Sequence, residues 1–275
     1  MKSKRTATAF ILCGYILILL GTIMLVRPLI ARICQKIAAL EFLYDIALLN
    51  GVPADMSEEV RSYNEMIRAE QAAHGFVYED TYNDPIYDDL LKGPSGMLCV
   101  VEIPAIGVLL PVGHGTDTAL LRDSAGHMHG SSLPVGGPST HAVIAAHAGM
   151  PDRELFTKLP EVREGDKFFI YVLGEKHTYI VRKIAKVLPS EADALRITEG
   201  EDRVTLMTCI PYGINTHRLL VQGTRCRSGD TQAAEDLRSA RSKAYAACNL
   251  WLTAIIILPS VFLILLFVRI VSRFR

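Results

Sequence analysis

The sequence predicts a mainly β domain, closed or nearly closed into a barrel, with N-terminal helices and two flanking transmembrane helices. Three observations predict it. Apolar residues concentrate in two terminal runs, 7–26 and 250–270. Seven segments between residues 98 and 222 are short, rich in β-branched residues and bounded by turn formers. Between the first run and these segments, apolar residues recur at helical spacing.

Residues 7–26 are long enough to cross a bilayer as a helix, which needs roughly 20 residues. Lys2, Lys4 and Arg5 precede the run and place the tail 1–6 in the cytoplasm. A cleavable signal peptide is the rival reading, but no small-x-small site follows Val26, where Arg27-Pro28 comes next. The run 250–270 begins beside Trp251, an interfacial residue type, and contains Pro259, which membrane helices tolerate. Arg269, Arg273 and Arg275 put the tail 271–275 in the cytoplasm as well. The expected location is the cell membrane, with two spans and everything between them extracellular. A formal net charge of zero argues against a nucleic-acid partner.

Residues 27–82 are expected to be helical. Ile37, Leu40, Leu43, Tyr44 and Leu48 form one stripe, and Gly51-Val52-Pro53 breaks it. Ser57-Glu58-Glu59 reads as a new helix start, with Tyr63, Met66 and Ile67 buried. Residues 83–96, with Asp84-Pro85, Gly93-Pro94 and Gly96, read as a loop long enough to serve as a lid. Strands are expected at 98–103, 107–112, 141–146, 167–172, 178–187, 203–208 and 218–222, within a domain spanning 97–226. Residues 227–249 read as a polar linker.

Chemistry narrows to a few positions. There are six cysteines, without a CxxC pair, so zinc has little support; Cys99 and Cys226 could form a disulfide, but spacing reveals no connectivity. Cys209 closes the strand 203–208, just before Pro211 and Gly213, where a substrate can reach a thiol. A lone cysteine is more often a packing residue. Arg218 begins the next strand, so a hairpin would bring it beside Cys209. A guanidinium there can stabilise a thiolate or donate to an oxyanion. Nucleophilic thiol chemistry also needs a proton-transfer partner. His147 ends the strand 141–146 beside a tight turn, His141 lies at the other end of that strand, and His217 should face away from Arg218.

These residues resemble the sortase family. Thr205-Leu206-Met207-Thr208-Cys209 matches its TLxTC signature, with Arg218 at the usual distance. Pro211-Tyr212-Gly213-Ile214-Asn215-Thr216-His217-Arg218, Leu133-Pro134-Val135-Gly136-Gly137 and Ser139-Thr140-His141 resemble the pilin-polymerising branch, class C. The resemblance implies an eight-stranded barrel and a cysteine transpeptidase without metal or cofactor. It casts Cys209 as nucleophile, His147 as acid and base, and Arg218 as the oxyanion and substrate contact. Thr208 and Ile210, flanking the thiol, become expected substrate contacts. It also implies a lid made by Asp84, Pro85, Ile86 and Tyr87, with Asp84 on Arg218 and an apolar side chain over Cys209. Class C lids carry an aromatic after Asp-Pro, and this chain has Ile86 there, followed by Tyr87.

The implied partners are pilin subunits with LPxTG-like sorting signals, the membrane and a peptidoglycan precursor. Two other functions are attachment of surface proteins to peptidoglycan and a non-enzymatic membrane-anchored assembly module. The second leaves the strand-end placement of His147, Cys209 and Arg218 unexplained. A role as a sortase substrate fails, since no LPxTG-type motif precedes residues 250–270.

Overall fold

The computed structural model describes residues 54–77, 84–92, 96–150, 153–227 and 231–232, with isolated positions between 14 and 37. Apart from some of those positions, the runs 7–26 and 250–270 lie outside the described residues. Among the described residues no helix is long and apolar enough to cross a membrane.

Helix α1, Ala54–His74, begins directly after Pro53 rather than at Ser57. Val60, Tyr63, Asn64, Ile67 and Gln71 form its buried stripe at helical spacing. Met66, expected in that stripe, is 41% exposed. It lies one residue from Ile67, a turn of about 100° around the axis. Two amides pin α1 to the barrel. Asn64 Nδ2 donates to Leu133 O (3.2 Å) and its Oδ1 accepts from Leu133 N (2.7 Å). Gln71 donates to Gly130 O (2.7 Å) and accepts from Ile197 N (3.0 Å).

The segment read as a loop at 83–96 contains a short helix, α2, Pro85–Asp89. Asp84 caps it, and proline at the first turn loses no hydrogen bond there. The strands are β1 (Cys99–Ile103), β2 (Val108–His114), β3 (Ala125–His127), β4 (Thr140–Ala145) and β5 (Lys167–Val172). They continue with β6 (Glu175–Val187), β7 (Asp202–Ile210), β8 (His217–Arg225) and β9 (Thr231–Gln232). A short helix, α3 (Thr118–Leu121), precedes β3.

The sheet order is β5-β1-β2-β3-β4-β7-β8-β6-β9, and β5 also pairs with β6. That extra pairing closes β1–β8 into an eight-stranded barrel, the expected architecture. A bulge between Val181 and Lys183 bends the long β6, whose first half pairs with β5 and second half with β8. β9 adds to the start of β6, so part of the predicted linker 227–249 joins the sheet. β3 was missed because three residues are too few to show alternation.

The barrel interior is filled by Ile144, Phe156, Phe168, Ile170, Tyr179, Leu206 and Val221, all fully buried. A second cluster lies on the outer face, where Val143, Leu220 and Met207 meet Phe76, Met128 and Leu195. Cys99 is buried in the main core and Cys226 is half-buried; no disulfide joins them, so the Cys99–Cys226 bridge does not form. Burial pushes the Cys99 thiol well above its ordinary value, which keeps it protonated.

Candidate active site

Alternation along β7 decides where its side chains go. Val204, Leu206 and Thr208 are buried on the inner side, while Met207 packs into the outer cluster. Cys209 shares the outer face with Met207. β7 and β8 pair with Cys209 directly opposite Arg218. Leu219 and Val221 join the inner core and Leu220 the outer cluster, so Arg218 projects outward too. The expected hairpin geometry is therefore present.

The partner strand of β7 is β4, running parallel, with Ala145 opposite Met207. The ladder continues one step, Ala146 N donating to Met207 O (3.1 Å). The chain then delivers His147 to the same end of the sheet as Cys209. Val143 is in the outer cluster and Ala142, Ile144 and Ala146 are in the inner one, which gives His147 the outer parity. His147 O accepts from Phe156 N (3.0 Å), which fastens the turn after β4. His147, Cys209 and Arg218 are each half-buried, accessible but flanked by packed strands. Nη1 of Arg218 donates to Asn215 O (3.1 Å) and His217 O (3.4 Å), so the β7–β8 loop orients the guanidinium.

Thr208 and Ile210 occupy the inner face of β7, opposite Cys209. Thr208 is 2% exposed and its hydroxyl donates to Ala146 O (2.7 Å), while Ile210 packs against the barrel core. Their side chains tie the strand that carries Cys209 to its surroundings.

Asp84 does not meet Arg218. Its carboxylate accepts from Tyr87 N (3.1 Å), from the Tyr63 hydroxyl (3.1 Å) and from His129 Nε2 (3.3 Å). Burial pushes the carboxyl up, but the bonds from Tyr87, His129 and Tyr63 outweigh it and hold it below the usual range. Ile86 is 65% exposed, whereas Tyr87 is fully buried. The Tyr87 hydroxyl lies 2.8 Å from His127 Nδ1 and accepts from Gly115 N (3.1 Å). His114, His127 and His129 surround the Tyr87 ring, with centroids 4.9, 5.6 and 5.2 Å away. His127 lies opposite Ile144, which lies opposite Leu206, three positions before Cys209 along β7. The residues 84–92 are thus fastened on the β2–β3 flank, displaced from Cys209 toward the start of β7.

His141 is held inside the packed sheet, beside Thr205 and away from the strand end that carries Cys209. It is fully buried, with Nε2 2.7 Å from Thr205 Oγ1 and Nδ1 2.9 Å from Arg196 O. Burial holds its pKa down at about 4, against the opposing pull of the Arg196 carbonyl, and burial brings His127 down to about 3. An unfolded histidine titrates near 6.5, so between these values the unfolded chain binds more protons. Stability is therefore expected to fall as the pH drops below 6.5. Each of the two contributes on the order of 2 kcal/mol of loss from about pH 7 to pH 5. Urea unfolding at both pH values checks this; a His141→Gln variant should show a shallower decline.

Two residues escaped the sequence reading. Gly149 follows His147 with φ +76°, and a Cβ there would overlap the Tyr212 ring. Tyr212, on the exposed β7–β8 loop, therefore lies against the turn after His147 and joins the two loops that carry the site. The signal was available in Ala148-Gly149 and Pro211-Tyr212, but not their proximity. Gly149→Ala is expected to displace Tyr212 and lower kcat/KM by roughly tenfold or more, through misplaced groups. The same change in a Tyr212→Ala background should cost clearly less; an equal loss would mean strain in the turn alone.

Among the described residues no cluster of His, Cys, Asp and Glu is arranged to hold a metal ion. The chemistry available is that of a thiol, an imidazole and a guanidinium at one strand end.

The chain is similar to known proteins. Residues 101–226 match the model of the sortase domain. Sortase C-1 from Actinomyces oris is 37% identical, aligned over 63% of this chain and 98% of that one, with a TM-score of 0.58. Sortase C1 of GBS pilus island 1 is 35% identical over 69% and 97% of the two chains, TM-score 0.62. The lid mutant of Streptococcus agalactiae sortase C1 is 37% identical over 62% and 87%, TM-score 0.57. Among curated proteins, sortase A of Streptococcus agalactiae is 28% identical over 154 residues, 54% of this chain and 62% of that protein. The match to curated relatives spans about three fifths of their length, 62% there and 57% for sortase A of Bacillus anthracis. With a sortase domain across its barrel and near-complete alignment to sortase structures, the chain belongs to the sortase family.

Proposed function

We propose that this protein is a class C cysteine transpeptidase that joins pilin subunits on a Gram-positive cell surface. The observation that carries this is the register placing Cys209 opposite Arg218, with His147 at the end of the neighbouring parallel strand. The thiolate of Cys209 attacks the carbonyl of the Thr–Gly bond in an LPxTG-like sorting motif. Arg218 donates to the oxyanion, which forms where a fixed cation is available without rearrangement. His147 protonates the leaving glycine amine, and the carbon–nitrogen bond breaks to leave a thioester on Cys209. A lysine amine of the next pilin then attacks the thioester, giving its proton to His147. The thiolate leaves and an isopeptide bond remains. Two spans, 7–26 and 250–270, hold the domain outside the membrane with both termini cytoplasmic.

The class C assignment is supported by the similarity to solved sortase C enzymes, one of them from a pilus island. The test is incubation of the purified full chain with an LPxTG peptide and two amine acceptors, a pilin-domain lysine and a peptidoglycan stem-peptide amine. Mass spectrometry of the products reads the linkage. A lysine isopeptide product supports the proposal. Transfer to the stem peptide alone overturns the pilin reading and favours cell-wall attachment.

A further inference from the structure

A second polar cleft lies far from Cys209. Its volume is about 360 Å³, and α1, the loop 135–138, the start of β6 and the ends of β7 and β8 line it. Three guanidinium side chains reach it from separate segments: Arg61 on α1, Arg225 at the end of β8 and Arg227 beyond. His177 adds an imidazole.

The two carboxylates in the lining are already engaged. Asp202 accepts from Gly137 N (2.8 Å) and the Tyr179 hydroxyl (3.0 Å), and lies 3.6 Å from Arg225 Nη1. Glu175 is 2.9 Å from His177 Nε2, with its side chain 72% exposed. Arg61 is 71% exposed and only loosely paired, 3.9 Å from Glu58. The recess therefore carries cationic donors beyond what its own carboxylates neutralise.

The position of the cleft is as informative as its charge. Asp202 opens β7 and Cys209 comes seven positions later, about 23 Å away at roughly 3.3 Å per residue. The chain passes the cleft both before and after the barrel. α1 passes it early, at Val60 and Arg61, and β8 exits through Arg225 toward β9, which lies on Glu175 and Lys176. In the sequence, the apolar runs 7–26 and 250–270 lie beyond these two segments.

We propose that this cleft binds a phosphate group, and that the anionic headgroup of a membrane lipid supplies it. Guanidinium forks match phosphate oxygens in planar, charge-assisted pairs, and basic groups gather at an anionic leaflet. The cleft pole then faces the bilayer and holds Cys209 at the far end, turned away from it. This rests on the two-span reading in the proposed function.

The test uses the full chain in neutral detergent micelles, titrated with inorganic phosphate, dioctanoyl-phosphatidylglycerol and dioctanoyl-phosphatidylcholine by calorimetry. Saturable phosphatidylglycerol binding, absent for phosphatidylcholine, is expected. The double variant Arg61→Gln/Arg227→Gln should weaken it roughly tenfold or more, at the scale of one lost charge-assisted contact. That variant should keep the wild-type unfolding midpoint and Cys209 labelling rate, since both arginines are exposed and remote from the thiol. Arg225→Gln, which also disturbs Asp202, serves as a second variant. Binding of inorganic phosphate without phosphatidylglycerol supports the phosphate site and overturns its lipid source. No binding of either, or undiminished binding in both variants, overturns the site. Carbonate extraction of membranes tests the spans separately: release of the wild-type chain would sink the two-span reading, whatever the cleft binds.

Discussion

Cys209→Ala is expected to abolish thioester formation and product release together. The methyl group offers no nucleophile, and no other described cysteine stands in its place. Cys99 is buried and held protonated, and Cys226 follows β8 at the opposite end of that strand from Arg218. Losing the nucleophile of a concerted set costs on the order of 10⁴-fold or more. The measurement is intact-protein mass spectrometry after incubation with an LPxTG peptide, where wild type gains the mass of the acyl group. The barrel should be unaffected, because Cys209 is half-buried at a strand end and outside the packed core. An acyl adduct on Cys209→Ala would move the nucleophile elsewhere and overturn the mechanism.

Arg218→Ala is expected to lower kcat by roughly 10²–10³-fold, the scale for removing one oxyanion donor. The register makes this specific: Arg218 is the residue opposite the nucleophile, and its guanidinium is steadied by Asn215 O and His217 O. Arg218→Lys should recover only part of the rate, since an ammonium keeps the charge but loses the planar fork. Steady-state kinetics with a quenched fluorescent peptide reads both variants. A rise in KM at unchanged kcat would make Arg218 a binding contact and remove it from the chemistry.

The proposed catalytic set stood out in the sequence because each member sits where a local pattern changes. Cys209 and Arg218 flank a short Pro- and Gly-containing connection, and such connections join antiparallel neighbours. Residues 84–92 were harder to place from the sequence. Asp84-Pro85 reads as a loop by composition and as a lid anchor by resemblance, yet the same residues cap and start α2. Tyr87 then buries its ring among three histidines, and Asp84 follows it to Tyr63 and His129. Nothing local distinguishes an aspartate that caps a short helix from one that reaches an arginine more than a hundred residues later. Thr208 shows the same limit. Its neighbour is Cys209, the proposed nucleophile, but alternation sends the two side chains to opposite faces of β7.

The sequence alone indicated the strand-rich domain, the β7–β8 hairpin and the three residues proposed to react. These depend on short-range signals: alternation, turn formers and the spacing of a motif. Tertiary structure decided which strand stands beside β7. Its parallel partner, β4, ends 57 residues before β7 begins, with β5 and β6 between them, and only closure of the barrel brings His147 to Cys209. It also decided that residues 84–92 dock on the β2–β3 flank and that a cationic cleft gathers at the opposite end from the thiol. Such outcomes follow from which surfaces are buried against one another. Burial is a property of the assembled chain, and no local window of residues contains it.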